Sequence, residues 1–338
     1  MSEQPTASVL TGTGRGAIGV ISVDLPAWES IKHLFERINQ KPFPVSPLTN
    51  RYFFVRWLPT GEEMLLVFPN EQWLEIHTHG NPLILEQLLQ TLAEHGVTPG
   101  LPPTPVGIAD PAAWALVPHA KTVRIANILL DQAHGAYVRA MQSNDPAIQE
   151  ILRKNSSVGA HLLEPWKIAL TGATNAGKSS LLNAIAGYER SVVSEVHGTT
   201  RDLVEYTGAF YGWVLKFTDT AGIRETSEEL ESAGILRAKR AIESADLVLH
   251  LIDATTLQES PLPQEVTENI IPVFTKADLV PDFVAPPGWE LVSATTHRGL
   301  EQLIQQIIHR LIPHPPLPGE PVPYLASGNS SLLTTSSL

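Results

Sequence analysis

The run Gly172-Ala173-Thr174-Asn175-Ala176-Gly177-Lys178-Ser179 limits the fold more than any other feature of this chain. It fits G-x-x-x-x-G-K-[ST], follows an apolar stretch at Lys167–Thr171 and precedes Leu181, Leu182 and Ile185 at helical spacing. A loop of that spacing works only between a buried strand and a helix, where its amides curl around phosphate oxygens and the helix N-terminus adds positive potential. Gly172, Asn175, Ala176, Gly177, Lys178, Ser179 and Ser180 are therefore candidate nucleotide-binding residues. Lys178 is expected on the β/γ-phosphates and Ser179 on magnesium.

Downstream, apolar runs at Leu247–Ile252 and Ile271–Phe274 read as strands buried on both faces. Strands alternating with helices give an α/β P-loop NTPase with a doubly wound, mainly parallel sheet, a Ras-like G domain over 165–312. A smaller α+β domain is expected before it, over 1–118. Its strands are expected at Ile18–Val23, Tyr52–Trp57, Met64–Phe68 and Trp73–Ile76, and its helix is capped by Asn81-Pro82 and lined by Leu85, Leu88, Leu89 and Leu92. Residues 119–164 form a short helical stub and linker. Within it Val123, Ala126, Leu130, Ala133, Tyr137 and Ala140 predict one helix between Lys121 and Met141 with a single apolar seam. Residues 313–338, rich in proline and then serine, have no helical period and read as disordered.

Three further segments select the nucleotide. Asp219-Thr220-Ala221-Gly222 ends a strand pattern; its aspartate suits magnesium and its glycine amide a γ-phosphate. Thr275-Lys276-Ala277-Asp278 follows a buried strand, and the Asp278 carboxylate matches the two donors of guanine, which adenine lacks. Ser293-Ala294-Thr295 follows the last strand, where amides meet the guanine oxygen. The order points to GTP. Thr275 stands where asparagine is commoner, so a weaker brace on the phosphate loop is expected. Gly198-Thr199-Thr200-Arg201-Asp202 supplies Thr200 as the second protein ligand of magnesium. A Ras-like enzyme places a water-orienting glutamine after Asp-x-x-Gly. Here Ile223 stands there, which leaves Arg224, Glu225, Glu228, Glu229 and Glu231 as candidates.

Composition excludes some chemistry. The chain has no cysteine, so it holds no disulfide, thiolate zinc site or cysteine nucleophile. A formal net charge of -12 repels nucleic acid unless positive charge is concentrated locally, and the mildly basic stretch Lys121–Lys154 is the expected place for any RNA contact. No apolar run reaches the ~20 residues of a membrane span, and the start has no basic region before an apolar one. The expectation is a cytoplasmic protein without a membrane partner.

From Ile168 through Asp253 the chain resembles the tRNA-modification GTPase MnmE (TrmE) family, as a shortened and divergent member. The resemblance rests on Asn175–Ser180, Gly198–Asp202 and Asp219–Glu225, and more loosely on Gly14–Val20 and on Leu74–Ile76 with His79–Pro82. It implies a GTPase assisted by magnesium and potassium. The potassium ligands would be Asn175 and the loop carrying Ser194, Val196 and Thr199, with Glu231 orienting water through a second water. It implies catalytic roles for Glu231, Asn175, Lys178 and Thr200, and a homodimer through the N-terminal domain. It also implies a flavoprotein partner and tRNA wobble-uridine modification. A formyl-tetrahydrofolate site is implied as well, with its glutamate at Glu75, but Ser22 stands where that family has an arginine. Family members carry a longer helical domain split around the G domain and a terminal Cys-x-Gly-Lys, absent here. A second reading is therefore a regulatory switch GTPase that has lost the modification chemistry.

Overall fold

The computed structural model describes residues 4–12, 16–45, 48–105, 107–188, 205–220, 240–256 and 269–324, together with the backbone of Val192–Val193. Two compact units result: residues 1–163 with 316–338, and residues 164–315.

In the first unit a seven-stranded sheet runs β3-β4-β5-β6-β2-β1-β7. Its strands are β1 (Thr6–Val9), β2 (Ile18–Asp24), β3 (Phe35–Arg37), β4 (Arg51–Trp57), β5 (Glu62–Phe68), β6 (Trp73–His79) and β7 (Thr98–Pro99). The four expected strands form its centre. β1, β3 and β7 are too short or too polar to stand out as alternating runs. Alternation puts Ile21, Val23, Val55, Trp57, Leu66, Leu74 and Ile76 on one fully buried face. Helix α2 (Pro82–Glu94) contributes Leu85, Leu88 and Leu92 to the same core, and Asn81 caps it by accepting from the Leu83 amide at 3.1 Å.

The stub departs from its expectation. One helix was expected between Lys121 and Met141, but two form: α4 (Val123–Ala133) and α5 (Ala136–Met141). The break falls at Gly135, whose φ of 91° lies in the left-handed region. The buried stripe is Ile125, Ile128, Leu129, Gln132 and Ala133, rotated from the expected seam, and Val123 is left exposed. Both stripes are apolar at helical spacing, and packing partners choose between them. One partner is α3 (Pro111–Leu116), capped by Asp110 through the Ala112 and Ala113 amides. Helices α6 (Pro146–Lys154) and α7 (Ser156–Ala160) complete the stub.

The expectation of disorder after residue 312 is overturned for residues 316–324. This segment is an extended strap packed on the stub, with Val322 and Tyr324 fully buried. The buried Gln132 amide donates to Glu320 O at 3.1 Å and accepts from the Val322 amide at 3.0 Å. Asn155 donates to Pro321 O at 3.0 Å, and the Gly319 amide donates to Asp131 at 2.8 Å. Gly159 lets the strap approach, since a Cβ there would lie 2.4 Å from Pro323 O. Tyr324 stacks edge-on with Tyr137 and donates to Asp110 at 2.6 Å. Prolines prevent helix formation, but they do not prevent an extended chain from being held by side-chain amides. Residues 325–338 lie outside the described residues.

In the second unit a seven-stranded sheet runs β14-β13-β12-β8-β11-β10-β9. Its strands are β8 (Trp166–Gly172), β9 (Val192–Val193), β10 (Glu205–Phe210), β11 (Trp213–Asp219), β12 (Leu247–Asp253), β13 (Ile270–Thr275) and β14 (Glu290–Leu291). β11, β8, β12, β13 and β14 are parallel, and β10 and β9 add an antiparallel edge. This is the mainly parallel Ras-like sheet expected. Helix α8 (Lys178–Ala186) follows the phosphate loop, and α9 (Leu300–Leu311) buries Leu303, Ile304 and Ile307. Among the described residues no helix is long and apolar enough to cross a membrane.

Burial, and the Asp110 partner, hold the Tyr324 hydroxyl well above the ordinary tyrosine range. The folded state thus keeps this phenol neutral. Its contribution is complete below pH 10.0, the unfolded value, and declines as pH rises above it. Tyr324→Phe leaves a buried Asp110 oxygen without its donor and should cost about 1–3 kcal/mol in urea unfolding. It should also flatten the alkaline decline. Unchanged stability at neutral pH would show that the bond contributes nothing.

Candidate nucleotide site

The site lies at the C-terminal ends of β8, β11, β12 and β13, where an open parallel sheet carries its ligands. At the start of the phosphate loop Gly172 has φ 135°, and a Cβ there would meet Leu251 O at 2.3 Å. Only glycine allows β8 to turn so close to β12. Asn175 sits at φ 68°, a left-handed conformation that asparagine tolerates better than most residues. Lys178 is buried and donates to Gly172 O at 3.0 Å and Ala173 O at 2.7 Å, so its ammonium lies inside the loop. Ser180 opens α8 beside it.

Ser179 Oγ donates to Asp219 Oδ2 at 2.6 Å, and Asp219 is fully buried. A hydroxyl and a carboxylate brought together at the phosphate end are hard oxygen donors that fit magnesium. Thr220, next in the chain, is buried and donates to Leu170 O at 2.8 Å, which ties β11 to β8. Thr200, Ala221, Gly222 and Glu231 lie outside the described residues, as do Ser194, Val196 and Thr199.

Thr275, where a weaker brace was expected, does contact the phosphate loop. Thr275 Oγ1 donates to Ala176 O at 2.9 Å and lies 3.3 Å from Ile252 O. A hydroxyl thus spans the phosphate loop and β12 from the end of β13. Lys276, at φ 61°, pairs with Asp253 at 2.5 Å. Burial raises the Asp253 carboxyl, but bonds from Lys276 and Thr255 outweigh it and the net shift is downward. Asp278 accepts from Ser293 Oγ at 2.6 Å, and the same oxygen accepts from the Thr296 amide at 3.1 Å. Ser293 therefore fixes both the base-reading carboxylate and the turn through Ala294 and Thr295. Behind this turn Phe274 stacks on Trp289 at 5.1 Å.

Sequence reasoning missed His250 and Asp253. His250 Nδ1 lies 3.2 Å from Thr171 Oγ1, and burial, with Lys178 nearby, lowers its pKa. Both residues line a cleft of about 730 Å³ beside Ala173, Thr174, Asn175 and Lys276. An acid at the C-terminal end of a buried parallel strand was the available signal for Asp253.

In the first unit Ser22 is buried, its hydroxyl 2.8 Å from that of Ser8 and 3.3 Å from Ser8 O. Its register partner Glu75 bonds His77 at 2.8 Å. His79 pairs with Glu62. Among the described residues none of the contacts at Ser22 supplies a cation, so Ser22 does not replace the arginine of a folate clamp.

The family model described as a 50S ribosome-binding GTPase matches residues 167–278. The tRNA modification GTPase MnmE of Akkermansia muciniphila is 30% identical over 378 aligned residues, covering 94% of this chain and 83% of that protein. The chain belongs to the MnmE family. The MnmE of Hyphomonas neptunium is 42% identical over 146 residues, 43% of this chain and 33% of that protein. Among solved structures, the G domain of the T. maritima FeoB iron transporter matches with 25% identity and TM-score 0.30, covering 44% of this chain and 99% of that one. As an MnmE-family chain with a matched GTPase domain, the protein is a GTP-hydrolysing enzyme. The alignment to the Akkermansia protein runs over 378 residues, more than the 338 of this chain, so the relative carries segments in that span that are missing here.

Loss of the Thr275 hydroxyl should loosen the phosphate loop. Thr275→Val is expected to weaken GDP binding about tenfold, in line with one buried bond of roughly 1.4 kcal/mol. Thr275→Ser should bind as the parent does. Calorimetric titration distinguishes the two, and equal affinities for all three would remove the brace.

Proposed function

We propose that this protein hydrolyses GTP by a magnesium- and potassium-assisted route and that its cycle serves tRNA wobble-uridine modification. The observation that carries the reading is the joint support of the phosphate loop: Ser179 paired with Asp219 on one side and Ala176 braced by Thr275 on the other. Magnesium and potassium, when bound, would neutralise charge on the β- and γ-phosphate oxygens. Ser179, Asp219 and Thr200 would hold the first; Asn175, Ser194, Val196 and Thr199 would hold the second. Lys178, aimed into the loop by two carbonyls, holds the β/γ-phosphates in place. Asp278, oriented by Ser293, accepts the guanine donors. Amides around Asn175 and Gly177 steady the developing charge. Glu231 orients the attacking water in place of the glutamine that Ile223 replaces.

The tRNA role is taken from the relatives' names and from the family resemblance, including its flavoprotein partner. A homodimer through the N-terminal unit is supported by the outer face of its sheet. There Tyr52 is 65% and Phe54 61% exposed, and in register they neighbour Val67 and Leu65. The second reading, a switch GTPase without modification chemistry, is favoured by the Ser22–Ser8 pair, which leaves a carboxylate-rich folate without its cation.

GTP turnover should rise at least about tenfold in potassium over sodium at matched ionic strength, by analogy with other charge-stabilising groups. Asn175→Ala should abolish the difference. Equal slow rates in both salts would remove the potassium mechanism. Glu231→Ala should keep GTP affinity and lower turnover by about 10²-fold; undiminished turnover would reassign the water-orienting role.

A further inference from the structure

Lys276 directly follows β13 and holds a left-handed conformation, φ 61°. That conformation brings Cβ close to the following carbonyl oxygen, and lysine has no short polar side chain to bond its own backbone in return, as asparagine has. Something outside the residue must hold it there. The main-chain bonds beyond it show what its conformation controls. The Ala277 amide donates to Val292 O at 3.1 Å, and the Leu279 amide donates to Lys276 O at 3.0 Å. The second bond closes a turn that contains Asp278, so the backbone of Lys276 is the pivot of the base-reading carboxylate. Ser293 holds one oxygen of that carboxylate at 2.6 Å, but this bond acts on the side chain and leaves the start of the turn to Lys276.

The hold on Lys276 comes from its side chain. The ammonium pairs with Asp253 Oδ2 at 2.5 Å. The Asp253 side chain is 13% exposed, against 36% for Lys276, so the pair is anchored from the acid's end. Asp253 is itself fixed: Oδ1 accepts from the Thr255 amide at 2.9 Å and from Thr255 Oγ1 at 2.7 Å. It ends β12 in register with Thr275, the residue before Lys276. Burial works against a charged carboxyl here, and the bonds from Lys276 and Thr255 outweigh it. A fully exposed pair between two mobile side chains would hold little. An acid whose other oxygen already takes two donors offers Lys276 a partner in a set position.

We propose that Asp253 is a positioning residue for guanine recognition: by holding the Lys276 ammonium it keeps Lys276 in the left-handed conformation from which Asp278 reaches the base. The role rests on the reading of Asp278 as the acceptor of both guanine donors. A carboxylate in place takes the ring N1–H and the exocyclic amine together, whereas one displaced by a change at Lys276 loses the pair.

The test is calorimetric titration of the full chain with GDP and with inosine diphosphate, which lacks the exocyclic amine. The parent should prefer GDP at least about tenfold, as one bond to a charged acceptor allows. Asp253→Asn keeps an acceptor for Thr255 but turns donors toward the ammonium; it should reduce that preference about fivefold. Support of the phosphate loop alone would weaken both nucleotides alike and leave the ratio unchanged. Lys276→Met removes the ammonium and should reduce the ratio by the same factor, so the test stands even where the Asp253 variant does not fold. Lys276→Gly adopts φ 61° without being held. In that background Asp253→Asn should change the ratio less than about twofold. A parent-like preference in Asp253→Asn or in Lys276→Met would overturn the proposal. So would a fivefold fall in the glycine background, because Asp253 would then act by a route other than Lys276. A parent that binds inosine diphosphate as tightly as GDP would remove the base-reading role of Asp278 itself, and the positioning role with it.

Discussion

Everything at the nucleotide end depends on a loop that cannot hold its own shape. The turn through residues 173–177 leaves Gly172 against Leu251 O and Asn175 in a left-handed conformation. Such a backbone persists only when its surroundings determine it. Three neighbouring strands do so. β12 sets the closeness of approach, β11 presents Asp219 to Ser179, and β13 ends in the hydroxyl that bonds Ala176 O. The parallel order β13-β12-β8-β11 is what brings these three ends together.

The Thr275 brace shows how side-chain chemistry and position separate. An amide offers more bonds than a hydroxyl, so threonine looks weaker by composition. Position compensates: with β13 paired to β12 so that Thr275 faces Asp253, its hydroxyl lies between two carbonyls and is buried. Beyond it, Lys276 is held by Asp253 and Asp278 by Ser293, so the base-reading segment is fixed by acids and hydroxyls from adjacent loops.

The first unit shows the opposite economy. Its sheet is a conventional alternating core, but its stub is small, and α3 and α4 alone leave buried polar groups. The strap supplies their partners from far along the sequence: Gln132 with Val322, 190 positions away, and Asp110 with Tyr324, 214 positions away. A segment of low complexity by composition is thereby part of a core. The strap's backbone and the Tyr324 hydroxyl thus satisfy Gln132, Asn155 and Asp110 of the stub.

Local chemistry was legible in the sequence because it depends on spacing. The phosphate loop, Asp219, the base box at Thr275–Asp278, the four central strands of the first sheet and the capped helix at Asn81 all follow from residues close together in the chain. What required the tertiary structure were choices between local equals and pairings across long separations. Two apolar stripes on α4 fit the helical period equally well, and only packing selected the one carrying Ile125 and Leu129. The threonine hydroxyl reaches Ala176 across 99 positions, and the strap reaches Asp110 across 214. Propensity and periodicity describe neighbours along the chain; hydrogen bonds at those separations are decided by which strands and helices the fold sets side by side.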